Sequence, residues 1–425
     1  MADIFILFIF LFFLFFGITR PYVAFCGYIW VDIFNPQKIS FGFLSTLPMS
    51  LTMGLICFCC LLFNMQKIKK PSNFKIIGVL VLFAAWITIT TVFSYFPIWA
   101  WFKWDVAIKT MLMTILFCFV INKKEQLELC FATFALSASY FIVTSGTKTI
   151  LGGGGYGVNL ITAAGNSGIS ESSTLAMVAV MLIPMVLFFK RNTLLFSSLR
   201  NKKFVWFVPI IFIIACVIGT QARTGLVAFV IFVLLKVATS SNKFRNITLL
   251  SILAVFAFSF VVSDDWKQRM GTINNASADA SASGRMLVWQ WTFDFAKSHP
   301  VGGGFNAYLA NGGLWQAYAD VPIEGEKPKA FHSIYFEVLG EHGFMGLFLF
   351  LTFILLAWLS NKQVIKNSMN SEKGQWLNEC GTMLNHSIII FCISGAFIGV
   401  AFQPFIYYLV AFSIILKKIE HNSNA

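Results

Sequence analysis

Residues 329–360 read KAFHSIYFEVLGEHGFMGLFLFLTFILLAWLS, and they contain both kinds of sequence from which the chain is built. From Gly343 onward the stretch is apolar except for Thr352 and Ser360. Its length suits a helix that crosses a hydrocarbon core about 30 Å thick. The residues before Gly343 include histidines at 332 and 342 and glutamates at 337 and 341. The sequence therefore passes here from a segment that can do chemistry to a membrane span.

Composition places the chain among membrane proteins. Hydrophobic residues make up 58% of it and charged residues 12%, whereas soluble domains average about 45–50% and 25%. The mean hydropathy is +0.77. We predict an all-α polytopic membrane protein with about 12 or 13 transmembrane helices, of which the first two are short for full crossings. The predicted spans lie at roughly 2–17, 18–34, 43–64, 76–96, 104–121, 127–145, 172–189, 204–220, 224–239, 246–263, 343–360, 382–399 and 401–416.

The distribution of the net charge of +13 indicates how the spans are oriented. Lysine and arginine collect in short clusters at alternate connections, as at 67–75, 190–203 and 362–373, which is typical of cytoplasmic loops. The long polar interval from Asp264 to Glu341 therefore falls on the opposite side. It contains more acidic than basic residues, so nucleic acid is not expected as a partner.

These features predict three parts. Residues 1–263 form an N-terminal transmembrane bundle, residues 264–342 form an outer catalytic segment containing short helices, and residues 343–425 form C-terminal transmembrane helices. A second outer loop, residues 145–170, carries two glycine runs. Such runs can bind phosphate through backbone amides, but a flexible surface loop is the simpler interpretation.

Arg223 stands at the outer start of a predicted span, in GTQARTGLVAF. An arginine at a membrane boundary is often only an anchor whose charged end reaches the water. On the outer side, however, it runs against the charge pattern of the other loops. Because a guanidinium can bind a phosphate through two parallel hydrogen bonds, we consider a lipid diphosphate as its ligand.

Arg285 lies near the start of SGRMLVWQWTFDFAKSHP, residues 283–300. The pattern predicts a helix from Gly284 to about Ser298, capped by Ser283 and ended by Pro300. The helix is too rich in aromatic residues to be free in solvent, so we expect it on the membrane surface or against the spans. The glycine turn that follows, residues 301–304, is typical of backbone that approaches a ligand closely.

His332 is the residue best suited to remove a proton from an incoming hydroxyl. The alternative is an ordinary hydrogen-bonded surface histidine. If the segment is helical, His332 and Glu341 lie on roughly opposite faces, so they do not form an obvious dyad. His299, His332 and His342 do not have the spacing of a metal site, and no metal is expected.

Several of these motifs resemble the O-antigen ligase family, the Wzy_C superfamily. His332-Ser333, followed by Glu341-x-Gly343 and Gly346, is similar to its H-[NS] and E-x-G-x-x-G signature. The spacing of Arg285 and Trp289, the turn at 300–305 and the upstream Arg223 also fit. The opening RPYVAFCGYIWVDIFNPQKISFGF, residues 20–43, resembles the exosortase-associated O-glycosylation ligases. The chain departs from the pattern at Ser333, where Asn is common, and in its glycine-rich turn. These departures bear on the identity of the acceptor more than on the type of reaction.

The resemblance implies a GT-C-like, inverting glycosyltransferase of the bacterial inner membrane that needs no metal or cofactor. Such enzymes take a glycan from undecaprenyl diphosphate at the periplasmic face. They pass it to a hydroxyl of lipid A-core oligosaccharide or, in related oligosaccharyltransferases, to serine or threonine of a protein. Arg223 and Arg285 would hold the diphosphate and His332 would be the general base. Supporting positions would be Trp289, Glu337 and Glu341.

Two further alternatives remain open. A polymerase of the same superfamily would extend a lipid-linked chain by repeat units. A transporter of the lipid-linked glycan would carry its charges at mid-span. The charges noted above lie at span ends and in the outer segment, which favours surface chemistry.

Overall fold

The computed structural model describes residues 2–40, 42–67, 70–71, 73–153, 168–239, 280–318, 327–369 and 374–424. The predicted span 246–263 and two parts of the outer catalytic segment, residues 264–279 and 319–326, lie outside these ranges, as does most of the glycine-rich loop. The α-helices within these ranges are α1 Ala2–Thr19, α2 Pro21–Phe34, α3 Pro36–Ile39, α4 Met49–Phe63, α5 Phe74–Val92, α6 Pro97–Val120, α7 Lys124–Ile150, α8 Ser172–Asn192, α9 Lys203–Thr220, α10 Arg223–Thr239, α11 Ala280–Ser298, α12 Trp315–Tyr318, α13 Ile334–Ser368, α14 Gln375–Gly395 and α15 Pro404–Asn424.

Four of these helices are long and apolar enough to cross a membrane, namely α5, α7, α8 and α13. The shorter helices α1, α2, α4 and α9 are also apolar. The chain is therefore an all-helical multi-pass membrane protein in the part that the structure describes. A total of 12 or 13 spans is not established by these helices and remains a prediction.

The last helices differ from the predicted spans in their limits. The predicted span 382–399 overlaps α14, which begins seven residues earlier and ends at Gly395. The predicted span 401–416 begins at Pro404 and extends to Asn424. Between α14 and α15 lies a non-helical connection, residues 396–403, which we call the 396–403 loop. The apolar run continues through this loop, so hydrophobicity alone did not reveal where the helices end.

Helix α15 lies at the centre of the helical bundle. Tyr407, Tyr408 and Phe412 have at most 1% of their surface exposed. Tyr408 donates a hydrogen bond of 2.8 Å to Asp32 on α2. At the other end, the buried ammonium group of Lys418 donates to the carbonyls of Cys118, Phe119 and Ile121, where α6 ends. These bonds satisfy polar groups where no water is available, and they hold distant helices in one arrangement.

Helix α13 consists of two helical parts that meet in a kink at Gly343, whose φ of 67° and ψ of −169° are not helical. The predicted boundary between residues 342 and 343 falls on this kink, although the division into domains remains a prediction. The part before the kink faces a small second hydrophobic cluster. This cluster, which we call the cap core, consists of Val288, Trp291, Phe295, Ala307, Ala310, Trp315 and Phe331.

Candidate functional site

His332 lies in a tight turn immediately before α13. Its φ of 48° is in the left-handed region, and the next residue, Ser333, is the N-cap of α13 in an extended conformation. His332 is therefore not helical, and the predicted helical relation between His332 and Glu341 does not apply. The imidazole is accessible to solvent, as a residue that must meet an incoming substrate requires.

Trp289 holds this turn in place. Its indole N–H donates a hydrogen bond of 2.8 Å to the carbonyl oxygen of Phe331, the residue before His332. Its ring stacks on Phe336, with centroids 5.2 Å apart and planes 5° apart. The predicted supporting tryptophan therefore fixes the backbone from which the histidine projects.

Arg285 lies one helical turn before Trp289, on the same face of α11. The helix ends at Ser298, as predicted, but it begins at Ala280, so Ser283 lies inside it and is not its cap. The Ala-Ser run before Gly284 continues the helix by about one turn. Arg285 is close enough to His332 to act on its charge, so α11 presents a cation beside the histidine.

The surroundings of His332 favour its neutral form. Desolvation by the many protein atoms around the ring lowers the pKa of His332 from its ordinary value, and the positive charge of Arg285 lowers the pKa further. The carboxylates of Glu171 and Glu337 act in the opposite direction without reversing the shift. A neutral imidazole near pH 7 is the form that can accept a proton.

Behind the histidine, Glu337 and Glu341 are joined by a lysine that the sequence analysis did not select. The two glutamates are four residues apart on α13, and Lys103 of α6 lies 2.8 Å from a carboxylate oxygen of each. Glu341 is fully buried and Glu337 is 7% exposed. Because buried carboxylates are costly without partners, this ion-pair cluster links α6 to α13.

Each glutamate also accepts a hydrogen bond from a neighbouring loop. Glu337 accepts from the backbone N–H of Ala401, at 2.9 Å, in the 396–403 loop. Glu341 accepts from the backbone N–H of Asn306, also at 2.9 Å, after the glycine turn. The supporting residues predicted from sequence therefore connect the helix that follows His332 to two loops and to α6.

The glycine turn, residues 301–304, packs against the kink of α13. Gly303 and Gly304 donate backbone hydrogen bonds of 2.9 and 2.8 Å to the carbonyls of Gly340 and Glu341. A Cβ atom at Gly302 would come within 2.6 Å of the Glu341 backbone, and one at Gly343 would overlap the carbonyl oxygen of Pro300. The close partner of these glycines within the structure is the chain itself, and an approach of this turn to a ligand remains a prediction.

The other two outer histidines have structural partners of their own. His299 lies 2.7 Å from the hydroxyl of Tyr95. His342 is fully buried, and its Nδ1 lies 2.6 Å from the hydroxyl of Thr90. Within the described ranges, no group of three or more His, Cys, Asp or Glu residues is arranged to hold a metal ion. The absence of a metal requirement remains a prediction.

Arg223 is the first residue of α10, after Gln221 with a φ of 47°. Near this start, Gly225 packs against Ala176, since a Cβ at Gly225 would lie 2.7 Å from the Ala176 side chain. The starts of α10 and α8 are therefore neighbours. Glu171, the N-cap of α8, accepts from the N–H groups of Ser173 and Thr174 and acts electrostatically on His332. Arg223 therefore lies at the same end of the helical bundle as His332.

Lys103 and Glu171 are the principal residues that sequence reasoning missed. Lys103 lies in YFPIWAWFKW, residues 95–104, whose density of aromatic residues is typical of a belt at the membrane surface and does not by itself indicate a site. Lys103 is, however, a cation on the outer side of the predicted topology. Like Arg223, it therefore departs from the pattern in which lysine and arginine collect on the cytoplasmic side. Glu171 carries no comparable signal, because an acidic residue before a span is also an ordinary helix cap.

Two family models match the chain. Residues 208–351 match the model described as O-antigen ligase. The predicted likeness to that family is confirmed for this region. Residues 1–194 match a family of unknown function, DUF5935, and the narrower likeness to exosortase-associated ligases is not confirmed. Among curated proteins, none matches the chain.

The two matched regions contribute different parts of the site. The O-antigen ligase region contains both arginines, Trp289, His332 and the two glutamates. The region of unknown function contributes Lys103, the partner of both glutamates, and Glu171. Both matched regions therefore contribute residues to the candidate site.

Proposed function

We propose that this protein is a glycan ligase that transfers a glycan from undecaprenyl diphosphate to a hydroxyl of lipid A-core oligosaccharide. The transfer takes place at the periplasmic face of the bacterial inner membrane, inverts the anomeric centre and requires no metal. The observation that carries this proposal is the arrangement on α11. Trp289 holds the turn of His332, and Arg285, one helical turn away, places a cation beside the same imidazole.

This arrangement supports a direct displacement. The acceptor oxygen forms a bond to the anomeric carbon, while the bond from that carbon to the diphosphate breaks on the opposite face. The proton of the acceptor hydroxyl passes to His332, and general-base assistance of this kind contributes roughly 10²–10⁴-fold. The departing diphosphate gains negative charge, which Arg285 and Arg223 stabilise through charge-assisted hydrogen bonds.

The buried glutamates have a different role in this proposal. Lys103 neutralises part of their charge, and their remaining bonds go to the backbone of two loops. Glu337 and Glu341 are therefore positioning residues that fix the start of α13, and hence the His332 turn. They do not need to contact the donor or the acceptor.

The test is an in vitro reaction of the purified full-length protein with a lipid-linked glycan and lipid A-core acceptor. We expect Arg223→Ala, Arg285→Ala and His332→Ala each to lower the transfer rate at least 100-fold. Matched controls are Lys297→Ala, an exposed cation on the same helix as Arg285, and His421→Ala, an exposed histidine at the end of α15. Both controls should retain activity within about twofold.

Different results would redirect the proposal. Full activity of His332→Ala would exclude His332 as the general base. Loss of transfer on chelation, with activity restored only when metal is added back, would contradict metal independence. Transfer to a serine- or threonine-containing protein instead of lipid A-core would identify an oligosaccharyltransferase. Growth of the lipid-linked chain without any acceptor would identify a polymerase. Absence of transfer together with movement of the donor across a vesicle membrane would identify a transporter.

A further inference from the structure

A basic cavity lies at the far end of the bundle from His332. It has a volume of about 720 Å³ and forms where α8 ends, α9 begins and α14 begins. Helix α8 runs from Glu171, near His332, to this cavity, and its 21 residues span about 31 Å. That length is about the thickness of a hydrocarbon core. The residues that line the cavity are Lys190, Arg191, Arg200, Asn201, Gln375 and Glu379.

Positive charge dominates this cavity. Glu379 is the single carboxylate of the lining, and it lies 3.6 Å from Arg191. Lys190 and Arg200 form no ion pair within the described part of the chain. Lys236, in the last turn of α10, is near enough to interact electrostatically with both Arg191 and Glu379. The cavity therefore has a surplus of cations that an anionic ligand would neutralise.

The walls of the cavity are held by buried hydrogen bonds. Glu128 of α7 is fully buried, and it accepts from the backbone N–H groups of Leu194 and Leu195. It also accepts from the indole N–H of Trp376 at 2.7 Å, next to Gln375. This carboxylate ties the turn after α8 to the start of α14, so two sides of the cavity are fixed relative to each other.

A second tryptophan fixes the side that carries Arg200. The indole N–H of Trp206 donates a hydrogen bond of 2.9 Å to the carbonyl of Leu199, the residue before Arg200. The backbone that carries Arg200 is therefore fixed, while the side chains of Lys190, Arg191 and Arg200 are exposed and free to reach a ligand.

Exposed apolar side chains lie beside the cations. Leu194 and Leu195 are 44% and 40% exposed, and Phe204 and Phe207 on α9 are 77% and 56% exposed. Such residues belong in lipid, whereas the lysine and arginine groups belong at the level of the headgroups. We propose that this cavity binds the phosphodiester headgroup of an anionic phospholipid in the leaflet opposite to the His332 site, with the acyl chains against α9.

The probe is dioleoylphosphatidylglycerol, titrated into the purified full-length protein and followed by native mass spectrometry. We expect it to bind at least tenfold more tightly than dioleoylphosphatidylcholine, whose headgroup has no net charge. The triple variant Lys190→Gln, Arg191→Gln, Arg200→Gln should lose at least tenfold in affinity for the anionic lipid. The charge-matched control Lys75→Gln, Lys362→Gln, Lys366→Gln removes three exposed lysines elsewhere and should stay within twofold.

Two further measurements separate the remaining explanations. Glu379→Gln removes the only carboxylate of the lining and should strengthen binding severalfold, which tests the site even if the triple variant fails to fold. Inorganic phosphate at millimolar concentration should not displace the lipid. Equal losses in the triple variant and its control, weaker binding by Glu379→Gln, or complete displacement by phosphate would each overturn the proposal.

Discussion

The indole N–H of Trp289 lies 2.8 Å from the carbonyl oxygen of Phe331, and this bond joins α11 to the residue before His332. Arg285 and Trp289 occupy one face of α11. The helix that carries Arg285 therefore also provides a bond that fixes the turn of His332. This bond is a contact between α11 and the residues before α13, so the position of Arg285 relative to His332 depends on how these two segments pack together.

Replacement of Trp289 by phenylalanine should slow transfer without unfolding the protein. The ring still stacks on Phe336, but the hydrogen bond to Phe331 is lost, which is worth about 1 kcal/mol, or roughly fivefold. The measurement is the transfer rate at saturating donor. The matched control is Trp291→Phe, which loses a bond to Leu314 inside the cap core and should lower the melting temperature more than the rate. An unchanged rate in Trp289→Phe would contradict the positioning role.

The pH dependence of transfer should follow the charges around His332. The base acts in its neutral form, so activity falls as the pH drops through the pKa of His332, which desolvation by the surrounding protein and the charge of Arg285 hold below the ordinary value. Loss of the cation in Arg285→Gln should move this acid limb to higher pH. Loss of the anion in Glu171→Gln should move it to lower pH, since a carboxylate favours the imidazolium. Shifts in the same direction in both variants would show that another group controls the profile.

Lys103→Ala should destabilise the protein strongly. It leaves two buried carboxylates without their shared cation, at a cost on the order of 3 kcal/mol. Lys109→Ala is the matched control, because Lys109 lies on the same helix and pairs with Asp105 at 2.6 Å on an exposed surface, where such pairs contribute about 0–1 kcal/mol. Thermal unfolding in detergent measures both. Partial recovery of stability in Lys103→Ala, Glu341→Gln would confirm the electrostatic cause, and equal effects of the two lysines would contradict it.

Gly343→Ala should prevent correct folding of the outer part of α13. The residue has a φ of 67°, and a Cβ there would overlap the Pro300 carbonyl, so we expect a loss of several kcal/mol. Gly313→Ala provides the control, because nothing lies within 4 Å of a Cβ at that position. Yield of folded protein and melting temperature are the readouts. Normal stability of Gly343→Ala would mean that the kink can be rebuilt without the glycine turn.

Sequence alone was sufficient for the features that depend on neighbouring residues. Hydrophobic runs predicted most of the described helices, and Pro300 predicted the end of α11. The likeness to the O-antigen ligase family, drawn from short motifs, is confirmed by the family model that matches residues 208–351.

The contacts between remote parts of the chain were not predictable in the same way. Lys103 meets Glu337 across 234 residues, and no local pattern indicates which cation will enter a buried acidic pair. The glycines at 302–304 were correctly seen as a site of close approach, but their partner, the kink at Gly343, depends on how α13 packs. Whether His332 is helical was left open, because a φ of 48° at a histidine has no signature in a single sequence.

The position of the kink also bears on the proposed transfer. From Gly343 to Lys362 the later part of α13 rises about 28 Å, close to the thickness of a hydrocarbon core. If Lys362, which is exposed, lies at one membrane surface, the kink lies level with the other. Under the proposed function, the length of this helix keeps His332 just outside the lipid, at the depth where the phosphates of a membrane-anchored donor lie.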